Sequence, residues 1–256
     1  MHVREGGRVG APTIVFLHGN GANGNMWDRH FEKCSDYHCL APDYPGFGRS
    51  KGIEWVSLDD TTDRIIDVIH SRATGGQAHI VGLSLGGSIG INLLGKAPEL
   101  IDHAIIDGSG VLPFPSKPFL TAGFFLIQPF MKTERLIRAI AKGLNIPAKE
   151  FERFKTDFQA MSPRAFRRSF SEGMGLKCPP GIERVTCPTL FVAGSREFRR
   201  FHESNLMMSK LMPHAECRVA PGMGHGWLAE APDLHIRMVR AWIADEELPE
   251  ELQKVN

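Results

Sequence analysis

Short apolar runs alternate with helical patterns along most of the chain. Residues 61–71 predict a helix with three isoleucines on one face, which Ser57 or Asp59 can cap. Runs such as TIVFL and TLFVA are apolar throughout, which is typical of parallel strands covered on both faces. The alternation predicts βαβ units, and hence an α/β fold with a mostly parallel central sheet flanked by helices. Six predicted strands occupy residues 13–18, 37–41, 78–82, 103–106, 189–193 and 216–220.

The alternation stops in the middle of the chain, between residues 113 and 185. This segment has helical patterns but no convincing strand, and it holds ten of the sixteen phenylalanines. It also carries 13 Lys or Arg residues against 6 Asp or Glu residues. We therefore predict a core domain in two parts, residues 1–112 and 186–256, with a helical lid (cap), residues 113–185, inserted between them. Its phenylalanines either pack the insertion onto the core or line an apolar substrate pocket.

The composition is that of an ordinary globular protein. Of the 256 residues, 42% are hydrophobic and 23% are charged, which excludes a disordered or fibrous chain. The formal net charge of +1 gives no reason to expect nucleic acid as a partner. The most apolar stretch, residues 122–130, includes Gln128 and Pro129 and is too short for a membrane span.

The cysteines and the amino terminus bear on the cellular compartment. Five cysteines without a CxxC pair argue against a disulfide framework and against a zinc site. The start, MHVREGGRVGAP, has no apolar run of the kind found in a signal peptide. We therefore expect a reduced, cytoplasmic protein.

Residues 82–86 read GLSLG and form a G-x-S-x-G motif around Ser84. The motif directly follows the strand pattern AHIVG and precedes a helical pattern rich in small residues. A serine on such a tight turn has a strained backbone, and side chains two residues to either side would collide, so that glycine is needed there. This context predicts that Ser84 is a nucleophile.

The sequence HGNG follows the strand TIVFL and suggests an oxyanion hole. Such a site needs two backbone N–H donors, and the second would be that of Leu85, directly after the serine. The pattern favours Asn20 as the first donor and leaves Gly21 as the alternative. His18 is interpreted as a scaffold residue.

A general base is expected after the last predicted strand. His225 lies there in the loop PGMGHGW, and a loop at the carboxyl end of a strand can reach a serine at the same sheet edge. A carboxylate should orient the imidazole. Glu197 follows the strand PTLFVAG and is our first choice, whereas Asp107, at the end of HAIID, is the alternative acid.

These segments, in this order, resemble the α/β-hydrolase superfamily. The segments are HGNG, DYPGFGRS, GLSLGG, a helical insertion, PTLFVAGSRE and PGMGHGW. The resemblance spans residues 13 to about 242 and implies a mostly parallel sheet, a helical lid between the sixth and seventh strands, and a Ser–acid–His triad. Two departures are that the acid position holds Glu197 rather than Asp, and that the first antiparallel strands are reduced to something like MHVREGG or absent. Asp43 and Arg49 in DYPGFGRS are interpreted as loop-holding residues.

The type of nucleophile narrows the chemistry. Haloalkane dehalogenases and epoxide hydrolases use Asp at the elbow, so a serine excludes them. We predict a serine hydrolase that cleaves a carboxylic ester of a small, largely apolar substrate through an acyl-enzyme intermediate. The alternatives are lactone, thioester or carbon–carbon bond hydrolysis on the same triad, or a nearly inactive ligand-binding sensor. No metal, nucleotide or flavin motif is present, so no cofactor is expected, and the pattern favours no particular oligomeric state.

Overall fold

The structure, a computed structural model, describes residues 1–114 and 117–255. Within these residues the chain forms one eight-stranded sheet. In chain order the strands are β1 (Val3–Gly7), β2 (Thr13–Leu17), β3 (His38–Pro42), β4 (Ala78–Leu83), β5 (Ile101–Asp107), β6 (Thr189–Gly194), β7 (Ala215–Ala220) and β8 (Gln253–Lys254). The six strands predicted from the sequence are all present, with ends that differ by at most two residues.

The sheet is mostly parallel, in the order β1-β3-β2-β4-β5-β6-β7-β8. The pairs from β3 through β7 run parallel, whereas β1 pairs antiparallel with β3, and β8 pairs antiparallel with β7. The carboxyl ends of β2 and of β4 to β7 therefore meet at one edge, where open α/β sheets bind their ligands. The mostly parallel central sheet predicted from the sequence is confirmed.

Helices cover both faces of the sheet. They are α1 (Asp28–Lys33), α2 (Leu58–Arg72), α3 (Leu85–Lys96), α4 (Lys117–Ile127), α5 (Glu134–Gly143), α6 (Phe151–Ala160), α7 (Pro163–Gly173), α8 (Arg199–Leu211), α9 (Trp227–Glu230) and α10 (Pro232–Ile243). No helix in the described ranges has both the length and the apolar character needed to cross a lipid bilayer.

The two faces of the sheet pack against separate apolar clusters. Along β2, Val15 and Leu17 join the cluster that includes residues of α2, α3 and α8, while Ile14 and Phe16 join the cluster with residues of α1 and α10. All four side chains are fully buried. Neighbouring residues of a strand point to opposite faces, so burial on both sides explains why TIVFL is apolar throughout.

The helix predicted over residues 61–71 is observed as α2, which begins three residues earlier. Ser57 caps its amino terminus, because its side chain accepts a hydrogen bond of 3.0 Å from the amide of Asp60. Asp59, the other predicted cap, lies inside the first turn.

The two edge strands differ from the sequence expectation. β1 is a five-residue strand paired along its whole length with β3, so the antiparallel start of the fold is short but present. The two-residue strand β8 was not predicted, because its residues gain strand character from pairing with β7. An edge position of this kind has no hydrophobic pattern to reveal it.

The helices α4 to α7 lie between β5 and β6, which are the fifth and sixth strands of this chain. The resemblance implied an insertion between the sixth and seventh strands, and the difference arises because a single antiparallel strand precedes β2. The predicted lid, residues 113–185, contains residues 115 and 116, which lie outside the described residues. We call residues 117–185 the inserted segment.

Candidate active site

Ser84 lies on the sharp turn between β4 and α3. Its backbone has φ 58° and ψ −112°, and a positive φ is uncommon for any residue other than glycine. Its amide donates a hydrogen bond of 2.8 Å to the carbonyl oxygen of Asp107, which ties the turn to the end of β5. A strained serine between a strand and a helix has the geometry of a nucleophile elbow.

The glycines of the motif make this turn possible. A Cβ atom at Gly82 would overlap the carbonyl oxygen of Gly86, and a Cβ atom at Gly86 would overlap that of Leu17. The backbone of α3 therefore approaches β4 and β2 too closely for any side chain at these two positions. The structure therefore shows the steric clash that the G-x-S-x-G motif predicts for side chains at these two positions.

The loop that follows β2 lies directly beside Ser84. A Cβ atom at Gly19 would lie 3.6 Å from the Cβ atom of Ser84. His18 is fully buried, and its Nδ1 is 2.9 Å from the carbonyl oxygen of Gly19, while its Nε2 accepts a bond of 3.3 Å from the amide of Tyr44. Burial lowers the pKa of His18 to about 4, so the ring is neutral and acts as a scaffold for the loop.

The loop after β2 and the first residue of α3 carry the candidate oxyanion donors. Among the described residues, no hydrogen bond is found for the backbone N–H groups of Asn20, Gly21 and Leu85. Leu85 is the first residue of α3, where the helix dipole adds to the attraction for negative charge. Unpaired amides beside a nucleophile are what an oxyanion hole requires, and the choice between Asn20 and Gly21 as donor stays open.

His225 is paired with Glu197 at the same sheet edge. The distance from His225 Nδ1 to Glu197 Oε2 is 2.6 Å, which is short and typical of a charge-assisted hydrogen bond. The Glu197 side chain is 0% exposed, and that of His225 is 25% exposed. The imidazole is thus oriented by a buried carboxylate and still reaches solvent or a ligand.

The two turns that carry this pair are joined by hydrogen bonds. The amide of Arg196 donates a bond of 2.9 Å to the carbonyl oxygen of Met223, and that of Gly222 donates one of 2.8 Å to Ser195 Oγ. Gly108, with φ 55°, lies against the pair, since a Cβ atom there would lie 3.0 Å from Glu197 Oε1 and from His225 Nδ1. A side chain at this position would be strained by the positive φ and would push the pair by a few tenths of an ångström, so glycine fits best.

The charge of Glu197 governs the protonation of His225. Burial by itself would lower the pKa of the imidazole, but the Glu197 carboxylate opposes it through its charge and its hydrogen bond, and Asp107 adds a smaller attraction. The result is a pKa raised above its usual value. A raised pKa means that the site stabilises the protonated imidazole. This is the form that His225 takes when it accepts a proton as a base.

Asp107, the alternative acid, has different partners. Its carboxylate is buried, with Oδ1 accepting a bond of 3.0 Å from Trp227 Nε1 and Oδ2 lying 3.3 Å from His235 Nε2. His235 Nδ1 is in turn 2.8 Å from Nε2 of the buried His30. Burial raises the pKa of Asp107. The structure thus brings Glu197, and not Asp107, into hydrogen-bonding contact with His225.

Ser84 and His225 line one cavity of about 270 Å³. Its walls are mainly apolar and come in large part from the inserted segment, including Ile140, Phe154, Phe158, Phe166 and Phe170. Several of the phenylalanines whose role the sequence left open therefore face the cavity.

The cavity also has charged side chains in its wall. Arg29 pairs with Glu150 at 3.3 Å, and Arg153 pairs with Asp28 at 2.8 Å. Asp28 thereby offsets one positive charge of the lid region, whereas Arg29 offsets one of its negative charges. In the described part of the chain, no group of three or more His, Cys, Asp or Glu side chains could hold a metal ion.

Several residues around the site were not found by sequence reasoning. They are His30, Trp227 and His235 near Asp107, and Asp157 and Ser169, which contact the loop after β2. Trp227 stands in the PGMGHGW motif, but nothing in that motif indicates its bond to Asp107. The other residues lie on helices, where a single His, Asp or Ser gives no local signal.

The chain is similar in sequence to a known protein family and to proteins named as its members. The sequence model of the Alpha/beta hydrolase family matches residues 14–236. The chain is 28% identical to an AB hydrolase superfamily protein of Gibberella zeae, over 94% of this chain and 83% of that one. It is 24% identical to a 2-hydroxy-6-oxononadienedioate/2-hydroxy-6-oxononatrienedioate hydrolase of Pseudomonas sp, over 95% of this chain and 92% of that one.

A solved structure has the same fold. The thermophilic esterase from Thermogutta terrifontis superimposes with a TM-score of 0.78 at 18% identity, over 95% of this chain and 93% of that one. The family match covers most of the chain, and the relatives named as hydrolases support the prediction of a hydrolytic enzyme. This chain is therefore a hydrolase that belongs to the Alpha/beta hydrolase family.

Proposed function

We propose that the protein hydrolyses carboxylic esters through an acyl-enzyme intermediate on Ser84, with Glu197 and His225 completing the triad. The observation that carries this proposal is a strained elbow serine in the same cavity as an imidazole that is held by a buried carboxylate at 2.6 Å. This is the arrangement by which a hydroxyl group of high pKa is turned into a nucleophile.

The proposed reaction has two halves. His225 Nε2 takes the proton of Ser84 Oγ as this oxygen attacks the ester carbonyl, and Glu197 stabilises the imidazolium. The carbon–oxygen bond to the alcohol then breaks, the alcohol takes the proton from His225, and an acyl-enzyme remains. In the second half water, activated by His225, attacks the acyl group, and the acid leaves as Ser84 regains its proton.

Negative charge develops on the carbonyl oxygen in both halves. The unpaired amide of Leu85 and that of Asn20 or Gly21 are the proposed donors to this oxygen. Removing one such donor from an enzyme of this type costs roughly 10²–10³ in kcat, so these amides should supply a large share of the rate.

We further propose that residues 113–185 act as the lid and set the substrate class. The phenylalanines of the inserted segment that line the cavity favour an apolar acyl group. Each methylene moved from water into such a wall contributes about 0.8 kcal/mol, which corresponds to roughly fourfold in kcat/KM.

A panel of p-nitrophenyl esters tests both the activity and the lid. We expect kcat/KM to rise by roughly fourfold per methylene from acetyl to butyryl esters, until the cavity is filled. Phe154→Ala should reduce this gain, because Phe154 lines the cavity. Phe130→Ala is the matched control, since that ring is 61% exposed and does not line it. Equal kcat/KM for all acyl lengths would remove the support for the lid, and the absence of any turnover would favour a ligand-binding sensor.

A second candidate is the hydrolysis of a dienoate on the same three residues. It is favoured by the Pseudomonas relative, whose name is that of an oxo-dienedioate hydrolase. Faster turnover of a 2-hydroxy-6-oxo-dienoate than of every aryl ester would favour carbon–carbon bond cleavage over ester hydrolysis.

The pH dependence of the reaction should report on His225. A general base must be neutral, so kcat/KM should fall as the pH drops through the pKa of this residue in the free enzyme. Because Glu197 raises this pKa, the fall should begin at a higher pH than for an ordinary histidine. In Glu197→Gln the acidic limb should move to lower pH. A flat profile from about pH 5 to 9, with chemistry rate-limiting, would exclude His225 as the base.

A further inference from the structure

The loop after β2 is bonded to the inserted segment as well as to the core. The amide nitrogen Nδ2 of Asn20 donates a bond of 3.1 Å to the carbonyl oxygen of Phe166, and Asn20 Oδ1 accepts a bond of 3.0 Å from Ser169 Oγ. Both partners belong to α7, so both ends of the Asn20 side chain are held by one helix. Ser169 is 0% exposed, and its single hydroxyl proton has two acceptors within reach, Asn20 Oδ1 and, also at 3.0 Å, the carbonyl oxygen of Phe166.

Two neighbouring residues of the same loop also touch the inserted segment. Gly21 has φ 84°, and a Cβ atom there would lie 2.8 Å from the ring of Phe158 on α6. Asn23 Nδ2 donates a bond of 2.8 Å to Oδ1 of Asp157, which is buried. Contacts at Asn20, Gly21 and Asn23 therefore hold the loop on the side of the inserted segment.

The loop has little hydrogen bonding of its own where the oxyanion donor lies. Within it, the amide of Ala22 donates a bond of 3.2 Å to the carbonyl oxygen of Gly19. On the core side, His18 reaches the same Gly19 carbonyl. The peptide group between Gly19 and Asn20 carries a candidate oxyanion donor. Its carbonyl is bonded by His18 and by the amide of Ala22, and on the side of the inserted segment the Asn20 side chain is bonded to α7.

We propose that Ser169 is a positioning residue for the oxyanion hole: by holding the Asn20 side chain, it keeps the backbone N–H of the loop aligned with the developing oxyanion. This inference rests on the proposed serine hydrolase activity. Ser169 acts through Asn20 and does not itself touch the reacting atoms. Small errors in the alignment of such a donor reduce the rate strongly, because stabilisation of the transition state depends on donors already in place.

Ser169→Ala tests the proposal, because it removes one hydroxyl group from a buried site without adding volume. With the best p-nitrophenyl ester, we expect kcat to fall by roughly 10-fold with KM unchanged, since an oxyanion donor acts mainly in the transition state. Affinity for a trifluoromethyl ketone, whose adduct carries the oxyanion, should fall by the same factor. Affinity for the product acid and the acidic limb of the pH profile should not change.

Ser162→Ala is the matched control on the same helix. Ser162 caps α7 by accepting a bond of 3.4 Å from the amide of Ala165. Within the described residues, Ser162 forms no hydrogen bond with Asn20. This variant weakens α7 in general, and we expect its kcat to stay within about twofold of the parent protein.

A second comparison uses Asn20→Ala, which keeps the backbone amide but removes the partner of Ser169. Adding Ser169→Ala to it should lower kcat no further.

The outcomes separate this proposal from the proposed function. If the parent protein forms no acyl-enzyme with any ester, the proposed function fails. If the parent protein turns over and Ser169→Ala keeps its kcat and its affinity for the ketone, the positioning role fails and the ester hydrolase stands. An equal loss in Ser162→Ala, or a full additional loss in the double variant, would likewise overturn the positioning role.

Discussion

Ser84→Ala should lower kcat by about 10⁴ or more while the protein stays folded. The hydroxyl group that attacks the substrate is lost, and what remains is the binding energy and the oxyanion hole. Ala has the same Cβ atom as Ser, so the strain of the positive φ does not change, and Ser84 makes no side-chain capping bond to α3 that the variant would lose. Steady-state kinetics and thermal unfolding measure the two effects separately.

Covalent labelling identifies the nucleophile directly. An organophosphonate should add once to the parent protein, at Ser84, and should not add to Ser84→Ala. The control is Ser88→Ala on the same helix, whose hydroxyl group contacts Ser109 Oγ at 2.9 Å. The Ser88→Ala variant should still be labelled once, and its kcat should stay within a few-fold of that of the parent protein. An adduct at a different residue, or a Ser84→Ala variant with nearly full activity, would show that the elbow serine is not the nucleophile.

Glu197→Gln should lower kcat by at least about 10², because the amide keeps the size of the side chain but loses the charge that stabilises the His225 imidazolium. In the parent protein this charge lies on the carboxylate that is 2.6 Å from His225 Nδ1. The Glu197 side chain is 0% exposed, so no water can take over the role of the carboxylate.

Asp107→Asn is the matched comparison, since it makes the same chemical change at the alternative acid. We expect kcat to fall by less than about tenfold, because Asp107 bonds Trp227 and approaches His235 rather than His225. Asp107→Asn should instead lower the free energy of unfolding by about 1–3 kcal/mol, because it leaves a buried polar group poorly paired. Thermal unfolding measures this loss. A large loss of kcat in Asp107→Asn together with a small one in Glu197→Gln would assign the acid to Asp107.

The fold could be predicted in large part from the sequence because its signals are local. A strand buried on both faces must be apolar at every position, so TIVFL and TLFVA identified β2 and β6. The strand β8 escaped prediction because pairing at an edge, and not its own pattern, makes its two residues a strand. The start of α2 required the observed bond between Ser57 and Asp60, since Ser57 and Asp59 are both good capping residues.

The site was predictable to the extent that its chemistry depends on neighbours along the chain. G-x-S-x-G combines a serine with the two glycines that its turn needs, so the sharp turn at Ser84 could be predicted without a structure, while the nucleophilic role of Ser84 stays a proposal. Its helix start also pointed to Leu85 as an oxyanion donor. His225 was recognisable from its place on a loop after the last long strand.

The sequence alone thus determined the α/β fold, the elbow serine and the candidate base, because each depends on steric and hydrophobic rules that act within a few residues. The tertiary structure decided which carboxylate contacts His225, since Glu197 and Asp107 both follow strands that end at the same sheet edge. It also decided that Ser169 contacts Asn20 across 149 residues of chain. Such contacts depend on how distant elements pack, and no local pattern of residue types encodes that packing.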